Sequence, residues 1–436
     1  MRVNVCLLVV VSALALPVSA QERPPENAET PPLHLADAIA FAREHHPSLK
    51  GAAARVTAAR QGSEMARSLM PPMFDATIWQ WPVTSFNPGD VNMYMFMLEQ
   101  ELPGKGKRDL RAAASARAAD RMAADAAVRT RTIESSVIDA YAALRAAERE
   151  IAATRAAQPL ANELVRATEA AYGLGRGTQA TVVRASLAET ELTERLVMLR
   201  ADADMRRVEL NAAMGRDPST PIGALDHTEP SPLVPPLQVL LDRAGDTHPE
   251  LLAARAGIAE ADAGASVAKT EGKPDWVVQG GYMLMPGQAG AWTARVGVTW
   301  PSAPWVKKRV SASTAEADAL AQAARADLET TRQQIARMIA EARVSLVGAL
   351  ARLAVVRDTM RPQSAHIVEA SRLAFAAGQL PLSEVLDAQR MQLETEAQIA
   401  RLSGQADVAW AALEAAVGAD LPAQAAVQSP VNPGKE

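Results

Sequence analysis

The chain states one plan twice, the second copy displaced by nearly half its length. His46-Pro47 recurs as His248-Pro249, 202 positions on. Pro159 recurs as Pro362, Gly175 as Gly378, Ala185 as Ala388 and Gly215 as Gly418, each 203 positions on. Proline and glycine punctuate local structure, so matched punctuation at several places marks a duplicated unit. The two copies drift by one position over their length. Each unit reads as a helix, two strand-like segments, one very long helix, a tight loop and a return helix. Repeat 1 spans 33–216 and repeat 2 spans 235–418, joined by an equatorial linker at 217–234. Duplication, rather than two unlike domains, then accounts for a chain of 436 residues.

The strand-like segments stand out by their aromatics. Residues 71–102 and 274–301 hold Phe74, Trp79, Trp81, Phe86, Tyr94, Phe96, Trp276, Tyr282, Trp292 and Trp300, ten of the sixteen aromatics. Within these windows the apolar period changes from helical to two. Trp276, Val278, Gly280, Tyr282 and Leu284 alternate with Asp275, Val277, Gln279, Gly281 and Met283. After a Pro286-Gly287 turn, Trp292, Ala294, Val296, Val298 and Trp300 alternate with a mixed set, so 275–300 reads as a hairpin. The first window, 73–102, reads likewise around Asn87-Pro88-Gly89-Asp90, with both faces rather apolar. A lone hairpin in water is marginal. Its apolar face either packs on a core or meets lipid, and tryptophans at both ends of such a face fit strands that meet two membrane interfaces. Strands of about 9–11 residues are long enough to cross an outer membrane when tilted. Four cannot close a barrel, because small barrels need about eight. Several chains would have to share one.

Elsewhere Ala, Arg, Glu and Leu dominate, which favours long helices. The spacing predicts helices at 33–69, 107–171 and 181–214, roughly 55, 97 and 51 Å long. Repeat 2 gives 237–270, 306–376 and 383–417. The two shorter helices of a repeat together match the long one, as a tall wall requires. Pro159 and Pro362 each remove a backbone donor, so a bend or local break is expected at both.

The stretch 1–20 reads as a cleaved secretory signal: Arg2, an apolar run over 7–16, and Val18-Ser19-Ala20 before Gln21. Residues 21–32 form an N-terminal extension, and the tail at 419–436 reads as disordered. The only cysteine, Cys6, lies inside the signal. Losing Arg2 moves the formal net charge from −5 to −6, which offers nothing to nucleic acid. No later stretch has the apolar length of a membrane helix. There is no phosphate-binding glycine loop, no Gly-x-Ser-x-Gly and no His-Glu-x-x-His, so no enzyme and no cofactor is expected. Six histidines without ligand spacing make no metal site. His45-His46 is read as a helix start rather than a metal pair. Met93, Met95 and Met97 form an alternating row opposite Tyr94, Phe96 and Leu98. Thioethers suit Cu(I), yet methionine is more often apolar filler, and the row is read as filler.

Together the His-Pro starts, the tips (Tyr172-x-x-Gly175 with Val182-Val183-x-Ala185; Phe375-x-x-Gly378 with Val385-Leu386-Asp387-Ala388) and the turn Glu99-Gln100-Glu101-Leu102-Pro103-Gly104-Lys105-Gly106-Lys107-Arg108 resemble the TolC-like outer membrane efflux proteins, or outer membrane factors. The resemblance covers essentially the whole chain after the signal. The turn looks most like ducts of the cobalt-zinc-cadmium and copper-silver systems, although Pro301-Ser302-Ala303-Pro304-Trp305 departs from it in the second copy. The resemblance implies a mainly α fold with a small β part. Its duplicated long-helix tunnel would carry four strands per chain into a 12-stranded barrel of a homotrimer, set in outer-membrane lipid. It also implies a periplasmic adaptor and a proton-driven inner-membrane pump as partners, with heavy-metal cations among the cargoes.

By the same resemblance, Glu384 and Asp387 would ring the periplasmic mouth, with Thr181 and Arg184 at the matching places of repeat 1. Three positions apart on a helix, the two acids share a face. Arg184 would pair with a neighbouring acid and hold the mouth shut, while unpaired carboxylates favour cations. The plainer reading is a solvated helix start whose acids suit the helix dipole. The tip loops, 173–180 and 377–382, with Gly175, Gly177, Gly378 and Gln379, would meet the adaptor. Trp79, Trp81, Trp276, Tyr282, Trp292 and Trp300 would mark the membrane interfaces. The rival reading is a secreted helical scaffold or adhesin without a pore.

Overall fold

The computed structural model describes residues 32–226 and 233–421. The expected signal, nearly all of the extension, the middle of the linker and the tail beyond 421 lie outside the described residues. Repeat 1 runs α1 (Leu35–His45), α2 (Pro47–Arg67), β1 (Met73–Trp79), β2 (Met93–Leu102), α3 (Lys107–Gly173) and α4 (Gln179–Met214). Repeat 2 runs α5 (Leu237–Thr247), α6 (Pro249–Thr270), β3 (Trp276–Leu284), β4 (Ala291–Val298), α7 (Lys307–Val355), α8 (Arg361–Ala376) and α9 (Leu382–Val417). A turn of π-helix, Val356–Met360, joins α7 to α8.

Two expectations need correction. The helices expected at 33–69 and 237–270 are each broken, at His46 and His248. Proline at the first helical position pushes the residue before it out of the α region. Both histidines are accordingly extended, with ψ of 122°. Each caps the helix that follows: His46 Nδ1 accepts from the Ser48 amide and His248 Nδ1 from the Glu250 amide, both at 3.2 Å. The histidines are therefore helix caps. Secondly, Pro159 does not break its helix, since α3 continues through it. Only repeat 2 breaks, and it does so just before Pro362.

The four strands make one antiparallel sheet in the order β1-β2-β3-β4. They have 7, 10, 9 and 8 residues, a little shorter than the windows suggested. The helices form a wall of two storeys. Next to the sheet the neighbours run α2-α3-α6-α7, and farther away α4-α3-α9 followed by α7 and α8. The long helices α3 and α7 cross both storeys, and the shorter ones stack in pairs beside them.

Between the storeys lie two equivalent cores. Ala38, Val137, Leu144, Leu210 and Met214 are buried in one. Leu240, Ile339, Leu346, Leu413 and Val417, at the matching positions of repeat 2, are buried in the other. The return helices end at Gly215 and Gly418, both at φ of 75°. A Cβ there would come within 3.0 Å of His46 and Pro47, or of His248 and Pro249. Each His-Pro cap thus sits on the glycine that ends its own repeat. Across the repeats, Arg145 of α3 pairs with Asp407 of α9, and Arg149 donates to the Ser403 hydroxyl.

The wall ends in open edges on both sides. Among the described residues, β1 and β4 each have one unpaired edge. Along α4, Val183, Leu187, Val197 and Met205 are exposed, and along α7 and α8, Val344, Val355, Ile367 and Leu373 are exposed.

Candidate functional site

The tip farthest from the sheet is built the same way twice. α3 is followed by Gly175 at φ 68° and α8 by Gly378 at φ 72°, the left-handed turn glycine admits most cheaply. In both, the amide after the glycine reaches back five positions: Arg176 to the Ala171 carbonyl and Gln379 to the Ala374 carbonyl, each at 2.9 Å. Gly177 packs close to the backbone at Tyr172. Gly175, Gly378 and Gln379 are exposed.

The following helices start at Thr178, whose hydroxyl caps the Thr181 amide, and at Pro381. One face of each goes inward. Ala185, Leu382 and Val385 are buried together with Leu164 in a small core that ties the two tips. With Val385 buried, Glu384 and Asp387 fall on the outer side of α9, and both are exposed, as is Arg184 on α4. Among the described residues, none of these three side chains has a hydrogen-bond or ion-pair partner within the chain. Thr181, half-buried, bonds Thr178 side chain to side chain at 2.8 Å. The chain thus presents two like charges on one helix and an opposite charge on the next, all unpaired.

Ion pairs do fasten the tip, but between other residues. Arg390 reaches Glu191 across α9 and α4 at 2.8 Å, Arg372 reaches Glu163 at 3.3 Å, and Arg361 reaches Glu396 at 2.8 Å. Sequence reasoning missed them, because partners on separate helices leave no local spacing to read. Behind Arg390 lies a cavity of about 480 Å³ between α3, α4 and α9, lined in part by Glu150, Arg195 and Gln389.

The sheet sorts its side chains sharply. Every ladder pairs even with even and odd with odd positions, so parity labels the face across all four strands. The even face carries Phe74, Phe96, Leu98, Trp276, Tyr282, Trp292 and Val296 with no charged residue. All strand charges, Asp75, Glu99, Glu101 and Arg295, share the odd face. Trp276 lies at the helix end of the even face. Tyr282 and Trp292 meet edge to face at 5.1 Å near the other end, about 20 Å away at a strand's rise. Trp79 is on the odd face, at the end of β1. Trp81 and Trp300 lie beyond the strands. The Trp81 ring donates to the Ser85 carbonyl at 2.9 Å, and Trp300 stands against Trp305.

Where the sheet meets the wall, the turn after β2 is locked to β3. The Lys107 ammonium, 5% exposed, pairs with Asp275 at 2.8 Å, and the Gly104 amide donates to the same carboxylate at 2.7 Å. Burial pushes the Asp275 carboxyl up, but Lys107 and the Gly104 amide outweigh it and hold it below the usual range. The sequence held the Pro103–Lys107 turn but gave no sign of its partner.

Among the described residues no helix is long and apolar enough to cross a membrane. No group of three His, Cys, Asp or Glu is placed to hold a metal ion there.

The pattern of outer membrane efflux proteins matches the chain twice, over residues 38–216 and over 240–419. The chain belongs to this family. No curated protein matches it in sequence. Solved structures do match in fold. The outer-membrane channel OprN superposes at a TM-score of 0.72 with 21% identity, over 88% of this chain and 90% of that one. VceC of Vibrio cholerae gives 0.72 and 20%, over 88% and 96%. CusC gives 0.74 and 14%, over 88% and 92%. As an outer membrane efflux protein, the chain is a transport protein of the outer membrane rather than an enzyme, with the helical wall and four-stranded sheet of that fold.

Proposed function

We propose that three copies of this chain close into a duct, the exit pore of a tripartite efflux system. The observation that carries it is the shared order of the three levels. Strands β1-β2-β3-β4, helices α2-α3-α6-α7 and helices α4-α3-α9-α8 all end open on the same two sides. One rotation brings β4 to the next copy's β1, α7 to its α2, and α8 to its α4. Head-to-tail contacts of this kind close into rings. Three copies give twelve strands, a number a membrane barrel can take. The uncharged even face then meets lipid and the charged odd face lines the bore. Trp276, Tyr282 and Trp292 mark the two interfaces.

At the other end, Glu384 and Asp387 form rings around the mouth, and Arg184 of one copy pairs with an acid of its neighbour to hold it shut. Thr181 sits beside that pair. The tips, exposed at Gly175, Gly378 and Gln379 and half-buried at Gly177, receive a periplasmic adaptor, which links the duct to a proton-driven inner-membrane pump. Three carboxylates against one guanidinium on the odd face favour cations, in keeping with heavy-metal cargo.

Single-channel recording in planar bilayers tests this. Small cation-selective currents are expected from the purified protein, rising several-fold in Arg184→Ala. Cation selectivity should weaken in Glu384→Ala/Asp387→Ala. Folded protein that stays monomeric and passes no current would sink the duct and leave the scaffold reading standing. Currents that none of these substitutions alters would sink the gate alone.

A further inference from the structure

The methionine row is better placed than filler would be. All five strand methionines, Met73, Met93, Met95, Met97 and Met283, lie on the odd face with the charges, and none lies on the uncharged face among the aromatics. Methionine recruited only to fill apolar space belongs with Phe, Trp and Val on the lipid side. Here the thioethers are held on the side that carries every strand charge.

They are also brought together. Met95 and Met283 are direct partners in the β2-β3 ladder, which puts their side chains on one face about 5 Å apart at Cβ. Met93 and Met97 flank Met95 along the strand, each about 7 Å away. Met97 lies opposite Gly281, and its sulfur occupies the space that a side chain at 281 would need. The Met97 thioether therefore lies over β3, one same-face position from Met283. On the other flank, Asp75 opposes Met97 and Thr77 opposes Met95. Four thioethers drawn from two repeats thus share one face of β2 and β3 beside a carboxylate.

We propose that Met93, Met95, Met97 and Met283 form a thioether site for soft monovalent cations, Cu(I) or Ag(I), on the wall of the bore. This rests on the duct reading above, which makes the odd face the inner one. The chemistry selects the ligand. A thioether is neutral and polarisable, so it binds soft cations and leaves Na⁺, Mg²⁺ and Ca²⁺ to water. Asp75 offsets the ion's charge. Neutral donors repeated around a threefold axis also let an ion enter and leave, as conduction requires, where thiolates would trap it.

The probe is silver nitrate in chloride-free buffer, added to single channels of the full protein in planar bilayers. Silver is expected to block wild-type sodium currents at micromolar concentration, and zinc nitrate is not. Met93→Leu/Met95→Leu/Met97→Leu/Met283→Leu keeps side-chain volume and should leave the sodium conductance unchanged. It should raise the half-blocking silver concentration about tenfold or more. Met95→Leu/Met283→Leu, which removes only the central pair, serves if the fourfold variant does not insert, with a shift of about threefold or more expected. X-ray absorption of the silver-loaded wild type should give a sulfur shell around silver. Equal silver block in wild type and variants, or a shell of oxygen and nitrogen alone, overturns the site. Absence of any current from the folded wild type overturns the duct reading instead.

Discussion

The two long helices are copies, yet α3 runs unbroken through Pro159 while α7 and α8 part at a π turn just before Pro362. The drift between the repeats locates the cause. Matched buried pairs are 202 apart as far as Leu144 and Leu346, and Ile151 and Leu353; from Pro159 and Pro362 onward the spacing is 203. Val356–Met360 lies between. One extra residue in an α-helix would turn everything beyond it by about 100°. A π turn takes up one residue and keeps the phase. The Arg361 amide accordingly bonds back five positions, to the Val356 carbonyl. Ala161 and its counterpart Ser364 remain buried on either side of the comparison. Pro362 then falls in the first turn of α8, where a missing N–H costs little. Pro159 gives up an interior hydrogen bond instead. The buried stripe governs, and the backbone yields to it.

Deletions put that account to its hardest test. Removing Arg155 from α3 should rotate the rest of that helix off its buried face and cost more than about 5 kcal/mol, enough to abolish the fold. Removing Thr359 should convert the π turn to α-helix at a cost within about 1 kcal/mol. Thermal melts followed by circular dichroism compare the two, and equal losses would refute the insertion account. Where the repeats agree, substitutions should agree as well. Gly215→Ala and Gly418→Ala each force a side chain into positive φ against a His-Pro cap. Each should cost about 2–4 kcal/mol, with the two alike to within about 1. A large inequality would mean that one cap carries its repeat and the other does not.

The clamp at Asp275 has no twin among the described residues: α7 also opens on a lysine, Lys307, but no carboxylate of the chain pairs with it. Asp275→Asn should cost about 2–3 kcal/mol in denaturant titration. Since its folded carboxyl titrates below the ordinary range, the stability it lends is full above about pH 4 and fades as pH falls further. The variant should lack that acid-side loss. His248 gives the smallest effect. Burial lowers its ring, outweighing the Glu250 carboxylate and a backbone hydrogen bond at Ala416. The folded state therefore favours the neutral ring, and stability should decline as pH drops below about 6.5. His248→Asn keeps a capping oxygen for the Glu250 amide. It should flatten that slope by under about 1 kcal/mol, and an unchanged slope would acquit the histidine.

Much of this architecture was legible from punctuation. The period-two windows gave the hairpins, the Ala-rich stretches gave the long helices, and Gly175 and Gly378 gave the tips. The break at His46 was legible too, since a proline at a helix start constrains the residue before it, but the continuous Ala-rich pattern around it read as one helix. The drift of one position was visible, whereas its place was not, because π and α turns share the same apolar residues. The faces of the sheet were half readable. Parity separates Met93, Met95 and Met97 from Phe96 within one strand, but only the β2-β3 register sets Met283 beside them. The tip acids Glu384 and Asp387 could be placed on one helix face from spacing alone. The pair Arg390–Glu191 could not, for it depends on how two distant helices meet.

That register has a consequence for the order in which the chain assembles. Within a hairpin the strands are near neighbours in sequence, but Leu102 pairs with Trp276 and Tyr94 with Leu284, each partner nearly a whole repeat away. Closing so long a span costs more chain entropy than closing a hairpin, and non-local pairings form slowly. The seam between β2 and β3 must wait until the whole first repeat and α6 have been synthesised. The helical wall begins within each repeat but shares that delay at its seams between the repeats, α3 with α6 and α3 with α9. Until that seam closes, the uncharged face rests on two separate hairpins, β1-β2 and β3-β4, rather than on one ladder.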